Sequence, residues 1–341
     1  MVPATEVVPE HRLTTHLGDS TINTHLRVTL AAAALAASTS CWAADKLIGI
    51  TYYIEHPVVV ELLRGFKDSL KAEGIEEGKG YRFETQSAQG SPVTAAQIAK
   101  KFAGEPIDLI LALSTPSSQA MVSAVKDKPI VFAGVTDPLG AKLVANLEKP
   151  GGNVTGSKDA PPFDKVFELI RTTIPNLKTV GILYNAGEAN SKSQVDQIKL
   201  LAKAAGVEVF EATVAKPSDV QGAAQSFAGK VQAIFCPNDG TVISNFEVLN
   251  RVQLETRIPV FVADISTVNR GAVAGIGASF YQGGLNAGRI AADILKRGKK
   301  AGDIAVVVPD RFDTAVNVKT QQALGLAIPE SIRQGAKLMG Q

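Results

Sequence analysis

The segment LIGITYYIEHPVVVELLRGFKDSLKAEG, residues 47–74, sets a pattern that the rest of the chain repeats. Residues 47–53 form a short, nearly continuous apolar run, which is typical of a strand buried on both faces of a sheet. Residues 58–74 carry apolar side chains at intervals of three and four, which predicts an amphipathic helix. Pro57 precedes this helix and Gly74 follows it. Pro is common at the start of a helix, and Gly is common just past its end. The segment therefore predicts a buried strand followed by a covering helix.

The same alternation continues towards the C-terminus. Strands are predicted for YRFETQS, IDLILAL, PIVFAGV, TVGILYN, VEVFEAT, VQAIFC, IPVFVAD and GAVAGIG, with NVTGS as a crossing strand. Helical patterns separate most of them, and VISNFEVLNRVQLET is predicted to be a single helix. Parallel sheets covered by helices on both faces produce this order of elements. Because the pattern restarts after residue 158, we predict an α/β fold with two doubly wound parallel-sheet lobes.

Composition narrows the classes of function. The chain has 341 residues, 45% of them hydrophobic and 20% charged, which is enough for two cores. Its formal net charge is +2, without a concentrated basic stretch, so no nucleic-acid partner is expected.

The N-terminal region has the layout of an export signal. Arg27 precedes an apolar run from Val28 to Ala37, and small residues lead to a cleavage point after Ala43. The run is about ten residues long, too short to span the roughly 30 Å core of a bilayer as a helix. We therefore predict a signal peptide with an upstream extension in residues 1–43 and a periplasmic mature protein; the alternative is a buried Ala-rich helix. Lipidation of Cys41 is disfavoured, because the preceding residues lack the usual Leu.

Cleavage after Ala43 would leave His56 as the only histidine and Cys236 as the only cysteine. An intramolecular disulfide and a His/Cys metal cluster are then impossible, so no metal or cofactor is expected. Cys236 ends an apolar run and is interpreted as a buried strand thiol. No P-loop and no nucleophile elbow is present, so we predict no catalytic residues.

Candidate binding residues follow the predicted strands, because an open parallel sheet binds ligands at the carboxyl ends of its strands. In the first half of the chain they are Tyr52, Tyr53, Glu55, His56, Ser114, Thr115, Ser117, Thr136 and Asp137. In the second half they are Asn185, Glu188, Ala189, Asn190, Asn238, Asp239, Asp264 and Tyr281.

These residue types suit a zwitterion with an apolar side chain. The segment 114–118 starts a predicted helix, whose free N–H groups favour a carboxylate. Asp137, Asp239 and Asp264 suit an ammonium group, and the tyrosines offer aromatic faces. Each Ser or Asp can instead be only a helix cap, and Tyr53 can belong to the core.

Several of these segments resemble a known family. The chain is similar to the ABC-transporter substrate-binding proteins of the tryptophan/tyrosine type, a branch of the type I periplasmic binding proteins, over nearly all of residues 46–335. The resemblance is carried by EGKGYRFETQSAQG, DLILALSTPSSQA, PIVFAGVTDPLGAKLV, LEKPGGNVTG, TVGILYNAGEANS and VNVKTQQALGLAIP.

The resemblance implies two lobes joined by three crossover strands and closing on a ligand by a hinge. Lobe one would hold residues 44–158 and 279–304, and lobe two residues 159–278 and 305–341. The implied function is an extracytoplasmic solute-binding protein that delivers a small ligand, first of all an aromatic amino acid, to the permease of an ABC importer. A monomer is expected.

The resemblance also assigns roles by position. Thr115 and Ser117 would hold the ligand's carboxylate and Asp264 its amine, while Tyr52 and Tyr281 would frame the side chain. Two other functions stay open: a sensor that presents its ligand to a membrane receptor, and an enzyme on the same fold, which would have to use His56. A DNA-binding regulator is disfavoured, because the N-terminal residues resemble an export signal.

Overall fold

The strands of the computed structural model, which describes residues 45–340, form two separate sheets. The predicted export signal, with Cys41 and Ala43, lies outside the described residues. The two sheets correspond to the two blocks of the sequence pattern, so the predicted α/β fold with two parallel-sheet lobes is confirmed.

The first sheet has five parallel strands in the order β2-β1-β3-β4-β5. Its strands are β1 (Lys46–Tyr52), β2 (Tyr81–Ser87), β3 (Leu109–Leu113), β4 (Ile130–Val135) and β5 (Val154–Lys158). The helices between them are α1 (Pro57–Ala72), α2 (Pro92–Gly104) and α3 (Thr115–Ala124). Every residue of β3 is buried, as the continuous apolar run predicted. We call this sheet and the helices packed on it lobe one.

The second sheet has seven strands in the order β12-β11-β10-β9-β8-β6-β7. Its strands are β6 (Thr179–Tyr184), β7 (Glu208–Thr213), β8 (Ala233–Cys236), β9 (Val260–Val262), β10 (Ala274–Gly277), β11 (Asp313–Asn317) and β12 (Lys337–Met339). The helices of this half are α4 (Phe163–Thr173), α5 (Ala189–Ala204), α6 (Val220–Gln225), α7 (Gly240–Ile243), α8 (Phe246–Thr256), α10 (Val318–Leu324) and α11 (Glu330–Arg333). We call this sheet and its helices lobe two; Cys236 is buried in it, as expected.

Two details of lobe two differ from the sequence prediction. Strand β11 runs antiparallel to β10, because the chain returns from lobe one and enters the sheet from the opposite side. The single helix predicted for VISNFEVLNRVQLET is divided into α7 and α8. Asn245 interrupts it with φ −122° and ψ 34°, and its side-chain amide donates to the carbonyl of Pro217 at 2.9 Å. A side-chain hydrogen bond to a segment distant in the sequence thus accompanies the break in the helix.

Helix α9 (Phe280–Arg297) follows β10 of lobe two but packs on α1 of lobe one. Glycines allow the two helices to approach closely. A Cβ atom on Gly65 would lie 2.1 Å from the carbonyl oxygen of Tyr281, and one on Gly284 would lie 2.1 Å from that of Leu62. The close contact fixes the start of α9, and with it Phe280, beside the end of β1.

The chain passes between the sheets three times: after β5, after β10 and before β11. The first and third passages pair with each other, since Lys158 donates its backbone N–H to Val307 at 3.0 Å and Val307 donates to Gly156 at 2.9 Å. The predicted residue limits of the lobes stay a prediction, because contacts group Asp45–Gln341 as one compact unit. Within residues 45–340, no helix combines the length and apolarity that crossing a membrane requires.

Candidate ligand-binding site

A cavity with an empty volume of about 480 Å³ lies between the strand ends of the two sheets. Its apolar wall consists of Tyr53, Ile54, Val58, Val59, Leu62, Ile243 and Phe280. Its polar wall consists of His56, Ser114, Asp159, Glu188, Asn190, Asn238 and Asp264, with Gly134 and Gly240 between them. An apolar chamber with a few convergent polar groups is the usual form of a small-molecule site.

Seven residues predicted from the sequence line this cavity: Tyr53, His56, Ser114, Glu188, Asn190, Asn238 and Asp264. Residues of lobe one follow β1 and β3, and residues of lobe two follow β6, β8 and β9. The carboxyl ends of parallel strands therefore do bring these side chains together, as the topology requires.

Several polar atoms of the wall are buried and have no hydrogen-bond partner within residues 45–340. These atoms are His56 Nδ1, Ser114 Oγ, Asp159 Oδ1, Asn190 Oδ1 and Asn238 Oδ1. A buried polar atom without a partner costs about 1–3 kcal/mol, so most such atoms in proteins are satisfied. Their concentration around one cavity indicates that this wall is built to receive polar groups of a ligand.

Ser114 has a backbone conformation that side chains rarely adopt. Its φ is 69° and its ψ is 158°, a region that is populated almost only by glycine and costs about 1–3 kcal/mol. Its backbone N–H donates to Ala133 at 2.9 Å, and its carbonyl accepts from Ser118 Oγ at 2.8 Å. These bonds hold the strained residue at the start of α3, where its hydroxyl faces the cavity.

Asp159 lines the cavity although the sequence analysis did not select it. It follows β5 at the start of the first passage between the lobes and is 8% exposed. Burial raises the pKa of its carboxyl group to about 6, and the nearby negative charge of Asp264 adds to this increase. Its position directly after a strand was the signal that could have identified it.

Asp264 is fully buried at the end of β9. Its two oxygens accept hydrogen bonds from the backbone N–H and the hydroxyl of Ser266, each at 2.8 Å. Burial raises the pKa of this carboxyl group to about 6, against the effect of the two Ser266 bonds. Each oxygen retains a lone pair, so Asp264 can still accept from a ligand.

Glu188 and Asp239 serve mainly to join two loops. Glu188 accepts from the backbone N–H groups of Gly240 at 3.0 Å and Thr241 at 3.1 Å. Asp239 accepts from the backbone N–H groups of Asn185 at 2.6 Å and Val242 at 2.8 Å, and it does not line the cavity. Burial and their mutual repulsion raise the pKa of Glu188, and burial raises that of Asp239. Asp239, which was predicted to contact the ligand, therefore caps α7 and lies outside the cavity wall.

His56 contributes a neutral imidazole to the wall. It occupies the residue before α1 but makes no side-chain cap hydrogen bond. Burial lowers the pKa of His56 to about 4, and the positive charge of Arg270 lowers it further. The ring is therefore uncharged at neutral pH and offers one donor and one acceptor nitrogen.

Tyr281, which was predicted to frame the ligand's side chain, does not line the cavity. The neighbouring Phe280 lines the cavity, whereas the Tyr281 hydroxyl donates to Asp68 at 3.0 Å on the outer side. The guanidinium of Arg64 lies 4.2 Å from the centre of the Tyr281 ring. Ser279 caps α9, and one residue of helix rotates a side chain by about 100°, so adjacent residues face different surroundings.

Other predicted residues lie outside the cavity wall: Tyr52, Glu55, Thr115, Ser117, Thr136, Asp137, Asn185 and Ala189. Thr115 and Ser117 are buried in the first turn of α3, directly behind Ser114, and their hydroxyls have no partner among the described residues. Glu55 is exposed, and Tyr52 packs at the edge of the lobe-one core. Asn185 stabilises the loop by donating to Thr241 Oγ1 at 2.9 Å.

A two-lobed α/β protein with a ligand cavity between its lobes is a binding protein of the type I periplasmic fold. The chain belongs to the ABC transporter substrate-binding protein family, whose profile matches residues 47–339, and the family predicted from the sequence is confirmed. This family is defined by ligand binding, not by catalysis.

The chain is similar to one curated relative and to two proteins of solved structure. A curated relative from Clostridioides difficile (strain R20291), named tyrosine-binding protein, is 38% identical over 282 residues, which are 83% of this chain and 81% of the relative. The crystal structure of a conserved domain protein from Vibrio cholerae is 41% identical, with a TM-score of 0.84 over 86% of this chain and 99% of that one. An ABC domain from Streptococcus pneumoniae, solved in complex with L-Trp, is 32% identical, with a TM-score of 0.83 over 87% of this chain and 100% of that one.

Proposed function

We propose that this chain binds an aromatic amino acid outside the cytoplasmic membrane and delivers it to the permease of an ABC importer. The observation that carries the proposal is the cavity itself, whose apolar wall faces unpartnered polar atoms. Relatives named for tyrosine binding and solved with L-Trp support the choice of an aromatic ligand.

The two walls suggest an orientation for the ligand. Tyr53 and Phe280 lie on the apolar side and would contact the aromatic ring. The Ser114 hydroxyl and the N-terminus of α3 would hold the carboxylate, because the free N–H groups of a helix start favour an anion. Thr115 and Ser117 would support this end from the first turn of α3.

A thermal-shift screen tests the ligand class. Protein that has been unfolded and refolded, to remove any carried-over ligand, is screened against the amino acids and related metabolites. A ligand at 100 times its Kd adds about 2.7 kcal/mol of stability, which raises the Tm of a protein of this size by a few degrees. A selective increase with tyrosine or tryptophan is expected. An increase with other solutes only would exclude the aromatic assignment and leave the fold unaffected.

Export is tested separately from binding. Expression of the full chain in a bacterial host, followed by fractionation and N-terminal sequencing, should give a periplasmic protein that begins at Ala44. A cytoplasmic protein that retains residues 1–43 would contradict the proposed export.

A further inference from the structure

Strand β7 forms an open edge of the lobe-two sheet. It stands last in the strand order and, among residues 45–340, pairs only with β6. Glu208 points its backbone N–H towards β6, donating to Lys178 at 2.8 Å. Because backbone groups alternate in direction along a strand, Val209 and Glu211 turn their N–H and C=O groups outwards. This outer row can pair with a strand of another chain.

Helix α5 places an apolar groove beside this edge. The helix contacts both β6 and β7. The groove is lined by Asp196, Lys199, Leu200 and Lys203 of α5 and by Val207 and Val209 at β7. The Leu200 side chain is 65% exposed, although it lies next to these two valines. An open strand edge and an exposed apolar side chain therefore adjoin each other on one surface.

Three exposed side chains of α5 form a stripe with opposite charges at its two ends. Asp196, Leu200 and Lys203 are spaced by four and three residues, so they lie on one face of the helix. When two such helices run antiparallel about a two-fold axis, Asp196 of each lies opposite Lys203 of the other, with both Leu200 side chains between them. Lys192 lies 3.4 Å from Asp196, but an exposed pair of this kind contributes little and leaves the carboxylate available. The stripe is therefore complementary to itself.

The spacing of strands and helices fits the same two-fold arrangement. Neighbouring strands lie about 4.8 Å apart. Since α5 lies over β6 and β7, pairing β7 with β7 of a second copy puts the two α5 helices roughly two strand spacings, about 10 Å, apart. Packed helices are separated by about 8–10 Å. Strand pairing and helix packing can therefore form together.

The outward backbone groups also fix a register. In an antiparallel pair centred on Phe210, Val209 of each copy lies opposite Glu211 of the other, and the two residues exchange both backbone hydrogen bonds. The two Phe210 side chains, each partly buried against its own lobe, then meet in the close pair without hydrogen bonds. The same register places the centre of the α5 stripe over the centre of β7, because Leu200 and Val209 line one groove.

We propose that two copies of this chain associate through β7 and α5, antiparallel about a two-fold axis, so that the lobe-two sheet continues from one copy into the other. The proposal replaces the monomer that the family resemblance implies. None of the residues of this interface lines the ligand cavity, so each copy keeps a separate binding site. The inference therefore goes beyond the proposed function and does not depend on it.

Sedimentation equilibrium on the full chain tests the proposal by charge exchange. The wild type should form a reversible dimer with a dissociation constant in the micromolar range. Asp196→Lys puts like charges opposite each other at both ends of the stripe and should raise this constant at least tenfold. The double variant Asp196→Lys, Lys203→Asp exchanges the two charges and should return the constant to within about threefold of the wild type, because the two sites are coupled.

A matched control is Glu255→Lys. It makes the same change of charge at an exposed position of α8 and should leave the dimer unchanged. Thermal unfolding reports whether each variant folds, and calorimetry with the ligand should give the same Kd for Asp196→Lys as for the wild type.

Two results would overturn the proposal. One is a wild type that sediments as a monomer up to about 200 μM, a concentration well above a micromolar dissociation constant. The other is a dimer that Asp196→Lys does not weaken or that the exchanged double variant does not restore, since the contact would then use another surface. Ligand binding is measured separately, so its absence would contradict the proposed function and leave the dimer standing.

Discussion

Ser193 in α5 donates a hydrogen bond of 2.9 Å to Asp137, which follows β4, and so links lobe two directly to lobe one. The other Asp137 oxygen accepts from the backbone N–H of Gly140 at 2.9 Å. Asp137 was predicted to contact the ligand, but the structure uses its carboxylate in this link outside the cavity wall. The hydrogen bond between Ser193 and Asp137 can form only in the closed arrangement of the two lobes.

Loss of this hydrogen bond should weaken ligand binding, although neither Ser193 nor Asp137 lines the cavity. Ser193→Ala removes one hydrogen bond to a carboxylate, and we expect a 2- to 10-fold higher Kd because the closed form is destabilised by roughly 1 kcal/mol. Calorimetry on Ser193→Ala, Asp137→Ala and the double variant gives the coupling energy between the two residues. The exposed Ser218→Ala is the control. Fully additive effects would show that the bond does not contribute to closure.

The strain at Ser114 should be visible in the stability of its variants. Ser114→Gly removes the conformational penalty of φ 69°, so we expect a free energy of unfolding about 1 kcal/mol above that of Ser114→Ala. Both variants lose the hydroxyl and should bind an amino acid ligand more weakly. Denaturant unfolding and calorimetry measure the two effects. Equal stability of the Gly and Ala variants would contradict the strain argument.

Adjacent aromatic residues at the start of α9 should behave differently. Phe280→Ala opens the apolar wall and should weaken binding of an aromatic ligand at least tenfold. Tyr281→Phe removes only the hydroxyl bond to Asp68 on the outer side and should leave the Kd unchanged. The pair is measured by calorimetry under identical conditions. A weaker affinity of Tyr281→Phe than of the wild type would contradict the placement of the Tyr281 hydroxyl outside the binding site.

The buried acids also predict how stability depends on pH. Burial raises the pKa of Asp159 to about 6 in the folded chain, so the ligand-free folded state binds more protons than the unfolded state from about pH 4 to 6. Its stability should therefore decrease as the pH rises through this window. Asp159→Asn removes this effect. Its free energy of unfolding, relative to that of the wild type, should therefore increase by roughly 2–3 kcal/mol between pH 4 and pH 7.

The contribution of His56 to stability changes with pH in the opposite direction, so it must be separated from that of Asp159. Burial lowers the pKa of His56 to about 4, so its contribution is present above pH 6.5 and is lost as the pH falls towards 4. Because the wild type and Asp159→Asn both contain His56, the term cancels in their difference. Urea unfolding of both proteins at intervals from pH 4 to 8 provides the measurement. A difference that does not change with pH would contradict the raised pKa of Asp159.

The sequence allowed the fold to be predicted because its main strands are continuous apolar runs. The β3 run is entirely buried, and such a run leaves few alternatives to a strand covered on both faces. The divided helix was missed because the pattern contains no Pro or Gly at Asn245, where the side chain bonds to Pro217 of a distant segment. Strand β11 was not among the predicted strands, and its antiparallel direction depends on the path of the chain between the lobes.

The predicted site residues stay a prediction, and the structure shows only which of them line the cavity. The pattern of residues after strands could not distinguish a residue of the cavity wall from a cap: Asp264 lines the cavity, whereas Asp239 caps α7. Phe280 and Tyr281 are adjacent, and only the packing of α9 on α1 decides which one faces inwards. Asp159 was overlooked because β5 was treated as a crossing strand and not as a strand whose end lines a cavity.

The most direct test of the central claim is a calorimetric titration of the refolded chain with L-tyrosine and L-tryptophan at pH 7. We predict saturable binding of one molecule per chain for at least one of them, with a negative heat-capacity change because apolar surface is buried. The absence of binding to the wild type, for both amino acids, would contradict the proposed function.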